Sequence, residues 1–355
     1  MSEIALPAAP ARPLTERLFD ATRWPAFAVG GAAAVALVSA FLAAELASGR
    51  LALATRPDAP HSLTEDLRLG VVMLLAFAYV PTAYVFAARR ARDTWRQLAP
   101  DLRCPAAERD ALVAAAGRYS RGGLRWAGGL GILGGLAIQV LIDQSLRDAW
   151  YLPTKGPEAL LHRALNLGIA WWVARFIFST GAESRRLSRA GRELLEIDLL
   201  DTSATRPLVR HGLRSALLSI GFLSIGALVL YDVEAAPALG VALAILMPAS
   251  LLLAGSRLLL PLRGVRDAIA TAKASEIAWL NDQIRIRRDA FARAEPAGAE
   301  RGLADLIAYK EHVESVREWP IDTPTAVRFL LYLALPLGSW LGGAFVERVV
   351  DSFLE

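Results

Sequence analysis

The chain has 355 residues, 54% of them hydrophobic and only 21% charged, with a formal net charge of +4 and a mean hydropathy of +0.37, which is greasy for a soluble domain of this length. Its bases are nearly all arginine and gather in particular connections, a footprint of membrane orientation that argues against nucleic acid as a partner. One cysteine, Cys104, excludes an intrachain disulfide and a cysteine-cluster metal site.

Apolar stretches of roughly twenty residues cross hydrocarbon as helices. The sequence predicts an all-α, polytopic integral membrane bundle with about seven such spans. After an N-terminal segment over 1–23, the first is Trp24–Ala47. It is longer than the apolar core of a cleaved signal peptide, so a retained span is expected. The second is Leu69–Ala88, followed by a helical connection over 89–125 that carries Arg89, Arg90, Arg92 and Arg96, with Pro100 and Pro105 bracketing Cys104. The third and fourth, Trp126–Ile142 and Ala164–Gly181, lead into a second basic connection over 182–214. The fifth and sixth, Ser215–Tyr231 and Ala238–Leu260, are joined by a short link holding Asp232 and Glu234 and no base. The seventh is Ala326–Val346, within a C-terminal unit 323–355 that ends in a short outer tail. Trp24, Trp126 and Trp150 stand where an amphipathic ring prefers the headgroup layer.

The basic connections 89–125, 182–214 and 263–322 all fall on one side of such a bundle. The positive-inside rule therefore puts the N-terminus in the cytoplasm and the C-terminus outside. The expected location is a bacterial inner membrane with most extramembrane mass on the cytoplasmic side. Region 24–262 holds six spans with helical loops, and 263–322 is a cytoplasmic helical hairpin. In that hairpin Ile277, Leu280, Ile284 and Phe291 form one apolar seam, and Leu303, Leu306, Ile307, Val313 and Val316 a second, beyond a Pro296/Gly298 turn.

A few residues sit in costly places. Arg175 lies near the middle of the fourth span, where a guanidinium should face the bundle interior or a wet cavity; the alternative is snorkelling to the cytoplasmic boundary. Asn166, Ser179 and Gln139 are the nearest intramembrane polar candidates to accompany it. Arg257, nearer the cytoplasmic end of the sixth span, is expected to snorkel. Gly131 and Gly135 in the third span, and Gly338, Gly342 and Gly343 in the seventh, mark close helix contacts or a pore lining. Pro81, Pro248 and Pro336 fall inside spans. On the cytoplasmic side, Glu193, Glu196, Asp198 and Asp201 face Arg206, Arg210 and Arg214 across a turn, read either as local ion pairs or as a cation or effector site. Between the hairpin and the seventh span, Asp322 or Thr323 can cap, Pro324 suits the first helical turn, and Pro320 supplies a bend, so Pro320, Asp322 and Pro324 are candidate gating hinges.

No catalytic constellation is present. The four histidines are scattered, with no H-E-x-x-H, P-loop or nucleophile elbow, so no enzyme, metal or cofactor is expected. Two functions remain. One is a homo-oligomeric channel or gated pore, with Arg175 biasing it toward anions. The other is a non-conducting scaffold or signal transducer that recruits a cytosolic protein partner through the 263–322 hairpin. Either way the lipid bilayer is a partner.

Overall fold

In the computed structural model of the chain, residues 14–22, 24–54, 61–142, 156–228, 237–292 and 299–334 are described. Gly338, Gly342, Gly343 and Pro336 lie outside the described residues, as does the Pro296/Gly298 turn. The described fold is all-helical, with a lone bridge between Leu102 and Leu195 as its one trace of β pairing. The helices are α1 (Leu14–Ala21), α2 (Ala26–Ala47), α3 (Arg50–Ala54), α4 (His61–Leu98), α5 (Ala106–Ala115), α6 (Arg121–Ile142), α7 (Gly156–Glu193), α8 (Arg206–Ala227), α9 (Pro237–Ala292), α10 (Ala299–Ser315) and α11 (323–334). Short 3-10 turns at Ala99–Asp101 and Thr202–Thr205 enter the α4–α5 and α7–α8 connections.

Apolar runs and basic connections do not alternate as helix and loop. They merge. α4 and α7 are each 38 residues and α9 is 56, so at 1.5 Å per residue α9 is about 84 Å long, far beyond the ~30 Å of a hydrocarbon core. The expected boundary at 262/263 falls inside α9, which runs unbroken through Pro248 and Pro261.

Side-chain pairs along the helices fix their directions. α4 and α7 run parallel, with Phe77 against Gly168, Tyr84 against Trp172 and Trp95 against Glu183. α9 runs parallel to α7, with Arg257 at Ile177 and Gly264 at Ser188. The last crossing is so tight that a Cβ on Gly264 would collide with the Ser188 carbonyl. α2 is antiparallel to α4, with Gly30 at Thr82 and Phe41 at Gly70. α6 is antiparallel to α7, and its glycines are what let it approach: a Cβ on Gly128 would meet the Trp171 ring at 2.6 Å, one on Gly135 the Ala170 methyl at 2.8 Å, and one on Gly131 the Ala170 carbonyl. α8 is antiparallel to α4, where the Tyr79 hydroxyl donates to the Leu218 carbonyl at 2.8 Å. The long continuations of α4, α7 and α9 therefore emerge at one end of the bundle.

At that end they build a closed core of large side chains. Trp95 and Leu98 from α4, Leu187 from α7, Leu208 from α8 and Leu262, Ile269 and Leu280 from α9 are all fully buried there, joined by Leu112 of α5 and Val313 of α10. α10 folds back antiparallel on α9: the Tyr309 hydroxyl meets Glu276, and Lys273 Nζ donates to the Glu314 and Val316 carbonyls at 2.5 and 3.0 Å. Both seams read from the sequence face this core through Ile277, Leu280, Leu306, Val313 and Val316. At the other end α2 buries only Ala26, Gly30 and Glu45, and α6 leaves Trp126, Leu130, Leu133 and Val140 exposed. Two stretches, Ala26–Ala47 and Leu67–Asp101, are long and apolar enough to cross a membrane.

Candidate functional site

Where the hairpin hands the chain to α11, the fold leaves a cleft of about 780 Å³. One wall is the turn and first residues of α8, from Leu199 through Thr202 and Thr205 to Arg206, Val209 and Arg210. The other is the end of α10 and the joint after it, from His312 and Ser315 through Arg317, Trp319 and Pro320 to Asp322 and Thr325. The local chemistry explains both walls. Asp201 accepts from the Ser203 amide and hydroxyl, both at 2.9 Å, which closes the 3-10 turn and holds its carboxyl below the usual range. Asp322 accepts from the Thr325 amide at 3.1 Å, three residues into α11, and Pro324 occupies the first turn, where a missing N–H costs nothing. Hydrogen bonding by Thr325, through its hydroxyl first and its amide second, likewise holds the Asp322 carboxyl low.

The acid-rich turn between α7 and α8 is used up locally. Glu196 pairs with Arg103 across the α4–α5 connection at 2.6 Å, and Asp198 accepts from the Leu200 amide at 2.8 Å. Among the described residues no group of three or more His, Cys, Asp or Glu side chains could hold a metal ion. The arginines on the far side of the turn have no such engagement. Among the described residues Arg206, Arg210 and Arg317, which all line the cleft, make no ion pair, whereas Arg89, Arg266, Arg285 and Arg288 all do. Arg266 also lies over the Trp319 ring, 5.4 Å from its centroid, which fixes the cleft's aromatic wall.

Two buried titratable groups, Glu183 and His211, lie outside the lining of the cleft. Glu183 of α7 is fully buried and accepts from the Trp95 indole N–H at 2.6 Å, with Arg186 at 3.6 Å. Burial pushes its carboxyl up against the opposing pull of Arg186 and those hydrogen bonds. His211 of α8 is buried with its Nε2 unpaired, and burial together with the Arg214 charge holds its pKa down to about 4.

The residues singled out within the apolar region are not assembled into one site. Arg175 is half-buried and stacks on two rings of its own helix, 5.4 Å from Trp171 and 5.0 Å from Trp172, with Nε unpaired. Trp172 in turn packs on Tyr84 of α4. Ser179 is buried and donates to the Phe176 carbonyl of its own helix at 3.0 Å; Gln139 reaches the Arg163 carbonyl at 3.4 Å, and Asn166 is half-buried. Arg257 turns inward where snorkelling was expected. It is buried and donates to the Ile177 carbonyl at 2.7 Å, in space that Gly181 leaves open. Between α4, α7 and α8 lies a small apolar cavity of about 70 Å³ lined by Tyr79, Phe176 and Phe222. Of the hinge candidates, Pro320 and Asp322 line the cleft, and Pro324 lies between the cleft residues Asp322 and Thr325.

The tryptophan ladder under Arg175 was visible in the sequence, since Trp171 and Trp172 precede it by four and three residues and so share its helix face. The Glu183–Trp95 bond joins residues 88 apart and had no such signal. Compared with known protein families, curated proteins and solved structures, the chain matches none of them.

Proposed function

We propose that the chain is a seven-span membrane protein, N-terminus inside, that acts as a non-conducting transducer: events at the basic end reach the membrane through the joint Trp319–Thr325. Five features support the membrane reading. Adjacent helices run in opposite directions in the order the spans require. The arginine-bearing continuations of α4, α7 and α9 share one end. The outer faces of α2, α6 and α11 present large apolar side chains, among them Val35, Leu133 and Leu330, which water would not favour. Two stretches meet the length and apolarity needed to cross. Phe329 and Leu333 pack α11 with Ala216, Ile220, Ala254 and Leu258 of α8 and α9, which is consistent with a final span beginning there.

One observation carries the transducer assignment: the joint residues that begin α11 are also a wall of the large cleft. Anything seated there touches the hairpin and the first turn of α11 together. The interior of the chain favours this over conduction. Arg175 is committed to two aromatic faces, and the space between α4, α7 and α8 is a small apolar cavity. A pore would have to run between copies.

Two measurements test the proposal. Single cysteines at positions 92 and 287, in a Cys104→Ser background, should react with a membrane-impermeant maleimide from the same face; labelling from opposite faces overturns the topology. Liposomes containing the full chain should pass neither potassium nor chloride. Flux that Arg175→Ala alters would replace the transducer by the homo-oligomeric channel.

A further inference from the structure

We propose that the cleft is a binding site for a phosphate-bearing anion, gripped by Arg206, Arg210 and Arg317. It deepens the transducer reading by giving the cleft a ligand class, and it depends on the membrane topology only for which source of phosphate lies within reach.

Three exposed arginines, Arg206, Arg210 and Arg317, line one concave space of about 780 Å³, and none has an ion pair among the described residues. Two carboxylates lie nearby. Asp201 is held by Ser203, with Arg206 acting on it only as a more distant charge, and Asp322 is held by Thr325. Neither can neutralise the cleft without giving up a cap. Both α8 and α11 also begin there, through Thr205–Arg206 and Asp322–Thr325, so the positive ends of two helix dipoles add to the same field. Guanidinium forks match phosphate oxygens bidentately and lose less hydration than an ammonium does. Thr202 and Ser315 lie on opposite walls, and Leu199, Val209 and Ile321 add apolar lining that would accept the non-phosphate part of a ligand.

Two sources have this chemistry: the headgroup of an anionic phospholipid, which the position just below the fifth and seventh spans would present, and a soluble phosphate compound. The full chain, purified in detergent, is titrated at low salt with inorganic pyrophosphate by calorimetry. In parallel it is mixed with phosphatidylglycerol or phosphatidylcholine and examined by native mass spectrometry. Saturable binding of pyrophosphate, of phosphatidylglycerol over phosphatidylcholine, or of both is the expected result, and which arm responds identifies the source. The triple variant Arg206→Gln/Arg210→Gln/Arg317→Gln should bind at least tenfold more weakly. The control Arg285→Gln/Arg287→Gln/Arg288→Gln removes as much charge from α9 and should change binding less than twofold. If the triple variant does not stay monodisperse, Arg206→Gln and Arg317→Gln singly, each expected to weaken binding at least threefold, decide the same question. Binding in neither arm, binding that the cleft variants retain, or an equal loss in the α9 control each overturns the proposal. Such a failure leaves the cysteine-labelling pattern untouched, so it is distinguishable from failure of the topology.

Discussion

The two ends of α4, α7 and α9 are packed by different rules. At the basic end large side chains fill a closed core: Trp95, Leu187, Leu262 and Leu280 are all sealed from solvent. At the apolar end a buried cluster that includes Tyr84, Val85 and Phe176 is flanked by α6, which approaches α7 closely over Gly128, Gly131 and Gly135 and leaves Trp126 and Leu130 facing outward. Under the proposed topology this difference has a physical reason. In water, burial of apolar area holds helices together; between lipid tails that drive vanishes, and van der Waals fit of small-residue surfaces replaces it. Truncating a large residue should therefore hurt the basic end most, and enlarging a small one should hurt the apolar end.

The largest expected effect is at the basic end. Leu280→Ala removes a side chain with no exposed surface from the seam between α9 and α10, and should cost about 2–5 kcal/mol, the range for core leucines. Denaturant unfolding in mild detergent measures it. A loss below 1 kcal/mol would mean the basic end is not a cooperative core.

Next is pH. His211, between the two ends, stays neutral in the folded chain down to about 4, against an ordinary value of 6.5. The unfolded chain takes up its proton first, so the stability present above pH 6.5 drains away as pH falls from 6.5 to 4, by about 3 kcal/mol at roughly 1.36 kcal/mol per unit. Glu183 works oppositely: its raised carboxyl contributes stability at low pH that is lost as pH rises through its folded value. The readout is consequently a difference. Stability of native protein minus that of His211→Leu should fall between pH 6.5 and 4, and a flat difference removes the buried-histidine account.

At the apolar end, α6 offers a matched pair. Gly131→Leu drives a side chain into the Ala170 carbonyl and Ala174 methyl, whereas Gly129, on the same helix, has open space around it. Overpacking costs about 1–3 kcal/mol, so Gly131→Leu should lower the unfolding temperature in detergent and Gly129→Leu should leave it nearly unchanged. Equal losses would refute glycine-mediated docking of α6 on α7.

How much of this was legible beforehand follows the range of each interaction. The α6 glycine spacing pointed at a close contact, and Ile277, Leu280 and Val313 announced their seams, because helical periodicity is local. Asp322 announced its cap for the same reason. The connections beyond α4 and α7 were legible as helical, but the unbroken run of α9 across the expected 262/263 boundary was hidden, since a change in charge carries no backbone break. Hidden too were Trp95–Glu183 and the inward turn of Arg257, which depend on helices distant in sequence. The cleft combines both kinds. Its two walls were each read as turns, but only the fold brings Arg206 and Arg210 opposite Arg317.

The smallest effect probes the joint between the two packing regimes. Asp322 donates nothing to either core. Its carboxylate accepts from the Thr325 amide at 3.1 Å, and its backbone carbonyl receives the first α11 hydrogen bond, from Ala326 at 3.0 Å. Asp322→Ala deletes the first contact and keeps the second, so the loss should be about 1 kcal/mol, typical of a helix cap. Asp322→Asn keeps an oxygen in the same place and should recover most of it, since asparagine caps about as well as aspartate. The two variants therefore separate geometry from charge. If capping is the whole role, alanine destabilises and asparagine does not, as read by amide hydrogen exchange in the first turn of α11. If the negative charge instead restrains the cleft, both variants should bind pyrophosphate more tightly than the native chain, even though asparagine leaves the helix end intact.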